Sequence, residues 1–405
     1  MEAHMNIVKI QAQVKEYDWG NPSFIPTLLG QKPDGKPKAE LWMGTHPSGE
    51  SLIDGTGQKL SDFLLKDTMH WYGKDHLDWF GPELPLLLKV LAIDRPLSIQ
   101  CHPSEFQARE GWESENSFRS RFPQELWNYK DPNRKAEIIY ALTPLTAMCA
   151  FRPLEKSLPI LKSLIPVGFE KHFSELDGQS SDEDLALLFE TLYTMKKEDL
   201  VPLIEEYIKS LREREDLPFS SEDGLFLESK GIALTCYEMY PQDPGLFCPF
   251  LLNVKHLKEG EALYLEPRTL HAYVQGNGVE LMSSSDNVLR GGLTNKKVDV
   301  HELLKILEIK GKEVEPVLTL TGSSGRKHLL TPTEEFHLMV CSSGSYKITD
   351  RKSIELLFCT EGKASFTDGG DKVVIAKGEC YVVAASLQEY QLEVEGNLFI
   401  ADVPR

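Results

Sequence analysis

The sequence is short of positive charge. Its 405 residues carry 44 Lys and Arg against 62 Asp and Glu, a formal net charge of −18. Such a surface repels nucleic-acid phosphates and anionic lipid headgroups, which excludes both as general partners. A phosphorylated small molecule would meet the same repulsion, so an anionic substrate requires Lys and Arg concentrated in its pocket. Cysteine is sparse as well. Cys101, Cys149, Cys236, Cys248, Cys341, Cys359 and Cys380 are scattered, odd in number and form no C-x-x-C pair. No secretory pattern opens the chain, so reduced thiols in a cytoplasm are the expectation. No apolar run approaches the ~18–20 residues of a membrane span. No Gly-rich nucleotide loop precedes the motifs described below, which argues against a fused nucleotidyl-transfer activity.

The chain is longer than the ~250–300 residues at which one core stops growing, so two or three domains are expected. From Lys9 to about Ala150, short apolar runs are broken by Gly and Pro. Leu84–Ala92, Leu97–His102 and Ala136–Leu142 read as strands. Between about Pro153 and Asp216 the period changes. Leu185, Leu188, Phe189 and Leu192 follow i, i+3, i+4, i+7, and so do Leu200, Leu203, Ile204, Tyr207, Ile208 and Leu211, which makes two amphipathic helices. Pro202 suits the first turn of the second. This stretch carries few chemically suggestive clusters and reads as a helical insertion.

Strands return from about Leu246. Leu257–Leu265, with a Gly-Glu turn inside it, is followed by His271–Gly276. Ile375–Val383 and Gln388–Leu392 repeat that design near the end. Repeated short strands of this spacing suggest jelly-roll barrels of the cupin type. The expected fold is therefore mainly β with an α-helical insertion: two cupin-type barrels and a helical domain. Where the first copy has His271, the second has Gln388 or Glu389, so only the first is expected to bind a metal.

Gln100-Cys-His102-Pro lies at the centre of the chemistry. On a strand, residues i and i+2 face one way, so Gln100 and His102 address one point while Cys101 turns from it. Glu137, on a later strand, and His271 are further candidates. Two imidazoles, one carboxylate and one amide oxygen form an N/O set that suits Zn²⁺, Fe²⁺ or Mn²⁺ and lacks the thiolates of a structural zinc site. Spacing alone does not separate such a site from hydrogen-bonded strand histidines. A second cluster, Glu280 to Lys296, packs acids, Arg290, Lys296 and a Gly pair into seventeen residues. It reads either as a solvated loop or as the source of the local positive charge that an anionic substrate needs. His46 and Trp19 read as packing or hydrogen-bonded structure, and His70, His76, His256 and His301 as surface residues.

At these positions the sequence resembles the type I mannose-6-phosphate isomerases. The likeness starts at Glu16-Tyr-Asp-Trp-Gly20 and continues through Ala39–Gly49, Leu86–Leu91, Leu97–Pro103, Asn133-Arg-Lys-Ala-Glu137 and His271–Gly276 to Ser285–Thr294. It implies one zinc per chain, held by Gln100, His102, Glu137 and His271. It also implicates Ser98, Lys89, Tyr273 and Lys296 in substrate binding, and Arg290, Lys135, Asp286 and Glu280 in catalysis. The family's order implies a catalytic cupin domain over 1–152 and 237–312, a helical insertion over 153–236 and a C-terminal cupin-like barrel over 313–405.

The implied reaction interconverts mannose 6-phosphate and fructose 6-phosphate through a cis-enediol, in carbohydrate metabolism that leads to or from GDP-mannose. A phosphosugar partner and a monomer are expected. For the phosphate, Ser98 with Lys89 or Arg290 is the expected anchor. For the proton, Lys135 is expected on the face of Glu137, with Asp286 and Glu280 as rivals. The chain departs from the family pattern at Arg134, Ala136, Leu270 and Asn295, where His, Pro, Pro and Pro are usual. Two rivals share the fold. An iron oxygenase is disfavoured by the match at Ser285–Thr294, and a non-catalytic sugar-binding protein by the persistence of all four ligands with Arg290 and Lys296.

Overall fold

A computed structural model describes residues 5–176, 181–214, 221–370 and 372–404. It is mainly β. A ten-stranded antiparallel sheet system holds the first half of the chain together with residues 252–292, and a nine-stranded system holds most of the C-terminal part. The hub of the first is the long strand His271–Ser283. Its later half pairs with Leu86–Ile93 and Glu137–Ala141, and its first residues pair with Ile99–Cys101 and Leu145–Phe151. One strand thus serves both faces. The register shifts between Tyr273 and Gln275, and Gly276 follows with φ 119°. A Cβ on Gly276 would sit 2.5 Å from the Pro144 carbonyl oxygen, so only glycine allows this crossing.

The anticipated strands appear close to where the apolar patterns placed them, as Leu86–Ile93, Ile99–Cys101 and Glu137–Ala141. Leu86–Ile93 is buried along its whole length, which is why it reads as an unbroken apolar run apart from Lys89. The repeated turn is present twice. Glu261 accepts the backbone N–H of Lys258 at 2.9 Å, and Glu379 accepts that of Ala376 at 2.8 Å. Gln388 and Glu389 are both exposed, and among the described residues the C-terminal part holds no cluster of metal-binding side chains.

The two periodic segments fold as the helices Asp182–Thr194 and Lys197–Glu213, with every predicted apolar position buried. Ser181 caps the first, accepting the Asp184 N–H, and Asp182, Glu183 and Asp184 complement its positive end. The second starts earlier than Pro202 suggests. Lys197 opens it, so the proline stands in the second turn, inside the helix. The helices pack against Ile99, Cys101, Leu270 and Leu289 in one core. Cys101 therefore turns away from its neighbours Gln100 and His102, as strand alternation requires. The other large core lies between the two sheet systems and joins Leu41, Leu86 and Ile138 to Leu338, Val382 and Phe399.

The N-terminal strand departs from its expected place in the first barrel. Ile7–Gln11 pairs antiparallel with Cys380–Val383 and continues the C-terminal sheet. The sequence carries no sign of this partner. His76 also departs from expectation. It is buried, tilted against the rings of Tyr72 and Phe80, with Nε2 at 2.8 Å from the Glu83 carbonyl oxygen. His256 and His301 are exposed, and His70 is half-buried.

Candidate metal centre and substrate cleft

A cleft of about 800 Å³ opens on the first sheet system. Ten of the twelve residues singled out in the sequence line it: Lys89, Ser98, Gln100, Lys135, Glu137, Tyr273, Glu280, Asp286, Arg290 and Lys296. The other two, His102 and His271, meet Glu137 at its floor. His102 Nε2 is 3.4 Å from one Glu137 carboxylate oxygen, and His271 Nε2 is 3.3 Å from the other. All three side chains are buried.

Local structure fixes which nitrogen faces inward. The His102 ring turns Nδ1 to the Asn287 carbonyl at 2.7 Å, and the His271 ring turns Nδ1 to the Thr269 carbonyl at 2.9 Å. Each Nδ1–H is thereby donated to a carbonyl, and each Nε2 keeps its lone pair. Those two Nε2 atoms and Glu137 Oε2 are buried with no hydrogen-bond partner. Three such acceptors side by side would be costly in a metal-free protein, and they form the donor set that a divalent metal satisfies. Burial, with Lys135 adding to it, pushes the His102 imidazole down to about 4, so the ring is neutral and able to ligate. Burial works to raise the Glu137 carboxyl, but Lys135 and His102 outweigh it and hold the group ionised.

Gln100 stands beside these three by register. It is the cross-strand partner of His271 on one side and of Arg290 on the other. Directly opposed residues present side chains to the same face. Gln100 is half-buried and lines the cleft. Ser98, two residues back along the chain, shares its face.

Beside this centre lies a buried network. Lys89 and Glu280 are cross-strand partners joined at 3.0 Å, and the Tyr273 hydroxyl donates to the other Glu280 oxygen at 3.0 Å. The Lys89 ammonium also stands over the Trp42 ring. Burial works to lower the Lys89 pKa, but Glu280, Glu40 and Glu137 raise it further, so the ammonium stays charged. Burial pushes the Glu280 carboxyl up despite Lys89. The positive charge of Lys89 is therefore matched within the protein. Lys135 is likewise paired, with Glu137 at 2.9 Å.

Other cations of the cleft are unmatched. Arg290, Lys296 and Lys130 line the cleft without a carboxylate partner among the described residues, and Arg290 Nε is buried without any partner. Burial, then Arg290 and Lys130, lower the Lys296 pKa, which reports three cations facing one space. This is the local concentration of positive charge that an acidic protein needs in order to hold an anion.

Several residues at the site escape sequence reasoning. His46 is buried, as packing predicts, yet it also lines the cleft. Its Nδ1 accepts the Ser48 N–H at 3.2 Å, so the ring hydrogen is on Nε2, which faces Asp286 at 3.5 Å. Ser48 Oγ donates to the second Asp286 oxygen at 3.0 Å. Asn287, whose carbonyl orients His102, is itself clamped. Its side chain accepts from the Lys130 N–H at 2.7 Å and donates to the Asp131 and Asn133 carbonyls. Its position in Ser285–Thr294 was the available signal. Trp19, Trp42 and Tyr240 add aromatic walls.

Arg134 turns to the C-terminal part instead, meeting Glu335 through two hydrogen bonds of 2.5 and 2.6 Å. Burial pushes Glu335 up, but Arg134 and Thr333 outweigh it and hold the carboxyl low. The pair therefore stabilises the fold above the ordinary Glu value of about 4.3, and the increment fades as pH falls through the lower folded-state value. Arg134→Ala is expected to be less stable than wild type at pH 7 and to approach it at pH 3, measured by urea unfolding. An equal gap at both pH values would rule out Glu335 ionisation as the source.

The likeness to known proteins extends well beyond this cleft. Residues 7–154 match the family described as phosphomannose isomerase type I, catalytic domain, and residues 328–403 the mannose-6-phosphate isomerase cupin domain. The mannose-6-phosphate isomerase of Escherichia coli K12 is 33% identical over 396 residues, covering 96% of this chain and 98% of that protein. The human mannose-6-phosphate isomerase is 31% identical over 384 residues, 88% of each chain. Among solved structures, a variant of the Salmonella typhimurium phosphomannose isomerase superposes with a TM-score of 0.88 at 31% identity, over 98% of this chain and all of that one. A mannose 6-phosphate isomerase bound with zinc and yttrium gives 0.87 at the same identity and coverage. Since the agreement in sequence and backbone spans nearly the full length of both partners, the chain belongs to the type I phosphomannose isomerase family.

Proposed function

We propose that the protein is a zinc-dependent aldose–ketose isomerase that interconverts D-mannose 6-phosphate and D-fructose 6-phosphate. The observation that carries this reading is the pairing of two features in one cleft: three buried ligand atoms without partners, and a group of unmatched cations beside them. Family membership supplies the substrate class. His102, Glu137, His271 and Gln100 would hold one zinc per chain. When bound, zinc supplies a Lewis acid that polarises the sugar carbonyl.

The protein's own residues do the rest. Arg290 and Lys296, with the Ser98 hydroxyl, anchor the phosphate. Lys89 is discounted as the anchor because Glu280 already neutralises it. Isomerisation then moves one proton between C1 and C2 and one between O1 and O2 through a cis-enediol, so that the carbonyl changes carbon. Lys135 is the proposed proton carrier. Asp286 is the alternative, since it is partly open to the cleft and oriented by Ser48 and His46. Glu280 is a weaker rival, because Lys89 and Tyr273 occupy both of its oxygens.

The two sheet systems are proposed to be jelly-roll barrels. A cytoplasmic location fits seven cysteines that are all buried and unpaired, and a monomer is proposed with it. Among the described residues, no helix is long and apolar enough to cross a membrane.

A coupled isomerase assay on mannose 6-phosphate tests the reading. Chelator is expected to remove activity and added zinc to restore it. Turnover indifferent to chelator would keep the isomerase but refute the metal centre. No turnover in metal-replete protein would refute the activity.

A further inference from the structure

We infer that Asp243, in the segment that leaves the helical insertion, is a positioning residue that sets Arg290 and Lys296 for the substrate phosphate; this rests on the reading of the cleft given above. Arg290 stands on the short strand Leu289–Gly292, whose register against Ile99–Cys101 shifts between Arg290 and Gly292. The chain must then turn sharply to bring Lys296 back to the same cleft. It does so through Gly292 at φ 118° and Leu293 at φ 52°, the latter a left-handed conformation that a leucine adopts only under constraint.

The constraint comes from the insertion side. One Asp243 oxygen accepts the Leu293 N–H at 2.8 Å, and the other accepts the Gly245 N–H at 2.8 Å, capping the short 3₁₀ turn Pro244–Phe247. Two acceptors on one side chain meet two N–H groups on two segments, a task for which an amide has one oxygen too few. The fit is close, since a Cβ on Gly292 would lie 2.5 Å from an Asp243 oxygen. A second tie comes from the helix Asp182–Thr194, where the buried Tyr193 hydroxyl donates to the Gly291 carbonyl. Met239 and Tyr240, from the same exit segment, line the cleft. The helical insertion, which reads as chemically quiet in the sequence, thus braces the loop that bears the anion-binding cations.

Asp243→Asn keeps the size of the side chain but can satisfy only one of the two N–H groups. Tyr193→Phe leaves both carboxylate bonds in place and cuts the other tie, so it carries the test if Asp243→Asn does not fold. The measurements are KM and kcat for mannose 6-phosphate, the inhibition constant of inorganic phosphate, and bound metal. For Asp243→Asn, KM and the phosphate inhibition constant are expected to rise together by about tenfold, with kcat changed by less than about threefold and metal retained. Tyr193→Phe should move the same two constants by a smaller factor. Unchanged phosphate inhibition in both variants, or a fall in kcat that merely tracks lost metal, would overturn the inference while leaving the isomerase intact. Wild-type turnover that phosphate does not inhibit would overturn the phosphate assignment itself, and this inference with it.

Discussion

Replacing His271 with Ala is expected to cut isomerase turnover by at least about 10³-fold and to leave the purified protein with little metal. His271 Nε2 and His102 Nε2 sit on opposite oxygens of one buried carboxylate, and none of the three inward-facing atoms has another partner. With one imidazole gone, the remaining set is too small to hold a divalent ion against solvent. A Lewis acid held there would stabilise developing charge by several kcal/mol, and each ~1.4 kcal/mol is a factor of ten in rate. Glu137→Gln tests the same centre without a cavity, since it keeps shape but removes the only anionic ligand. Metal analysis and turnover are to be measured on both variants. Metal-free His271→Ala protein that still isomerises mannose 6-phosphate at near-normal rate would show that the centre is structural.

Lys135→Met is expected to lower kcat by about 10²–10⁴, the usual contribution of a positioned acid–base group, while zinc stays bound. Lys135 is buried at the cleft floor with its ammonium 2.9 Å from Glu137. Methionine matches its length and apolar stem, so the change removes a proton carrier and a charge but little packing. Metal retention separates this outcome from damage to the centre. Near-normal turnover with bound zinc would take Lys135 out of the proton-transfer role. In that case Asp286→Asn becomes the decisive variant, because the Ser48 hydroxyl and the His46 ring already orient that carboxylate.

Much of the cleft was legible in the sequence because strands project alternate residues to one face. Ser98 and Gln100 line the cleft, and Cys101 turns into the helical core, for that reason. The helices were legible from the 3.6-residue period. Contacts made by backbone atoms were not. The carbonyls of Asn287 and Thr269 select the ligating nitrogen of each histidine, and no side-chain pattern announces a carbonyl. His46 looked like packing because burial and cleft-lining coincide at that position. No local pattern marks Asp243, because its partner, the Leu293 amide, is fifty residues away. Pro202 misled for a different reason: buried apolar contacts along Lys197–Glu213 outweigh the hydrogen bond that a proline in the second turn cannot make.

The pairing of Ile7–Gln11 with Cys380–Val383 sets an order of events in the life of the chain. Ile7–Gln11 leaves the ribosome some 370 residues before the strand it pairs with. At about 5–20 residues per second, that wait is roughly 20–75 s, during which the apolar strand has the short Leu52–Ile53 beside its end but not its main partner. Closure across some 370 residues is a long-range contact of the kind that slows folding. It also means that the catalytic half cannot be excised cleanly. A fragment ending near residue 312 would keep Ile7–Gln11 but lose every strand it pairs with except the short Leu52–Ile53, leaving an open sheet edge ready to pair with another molecule.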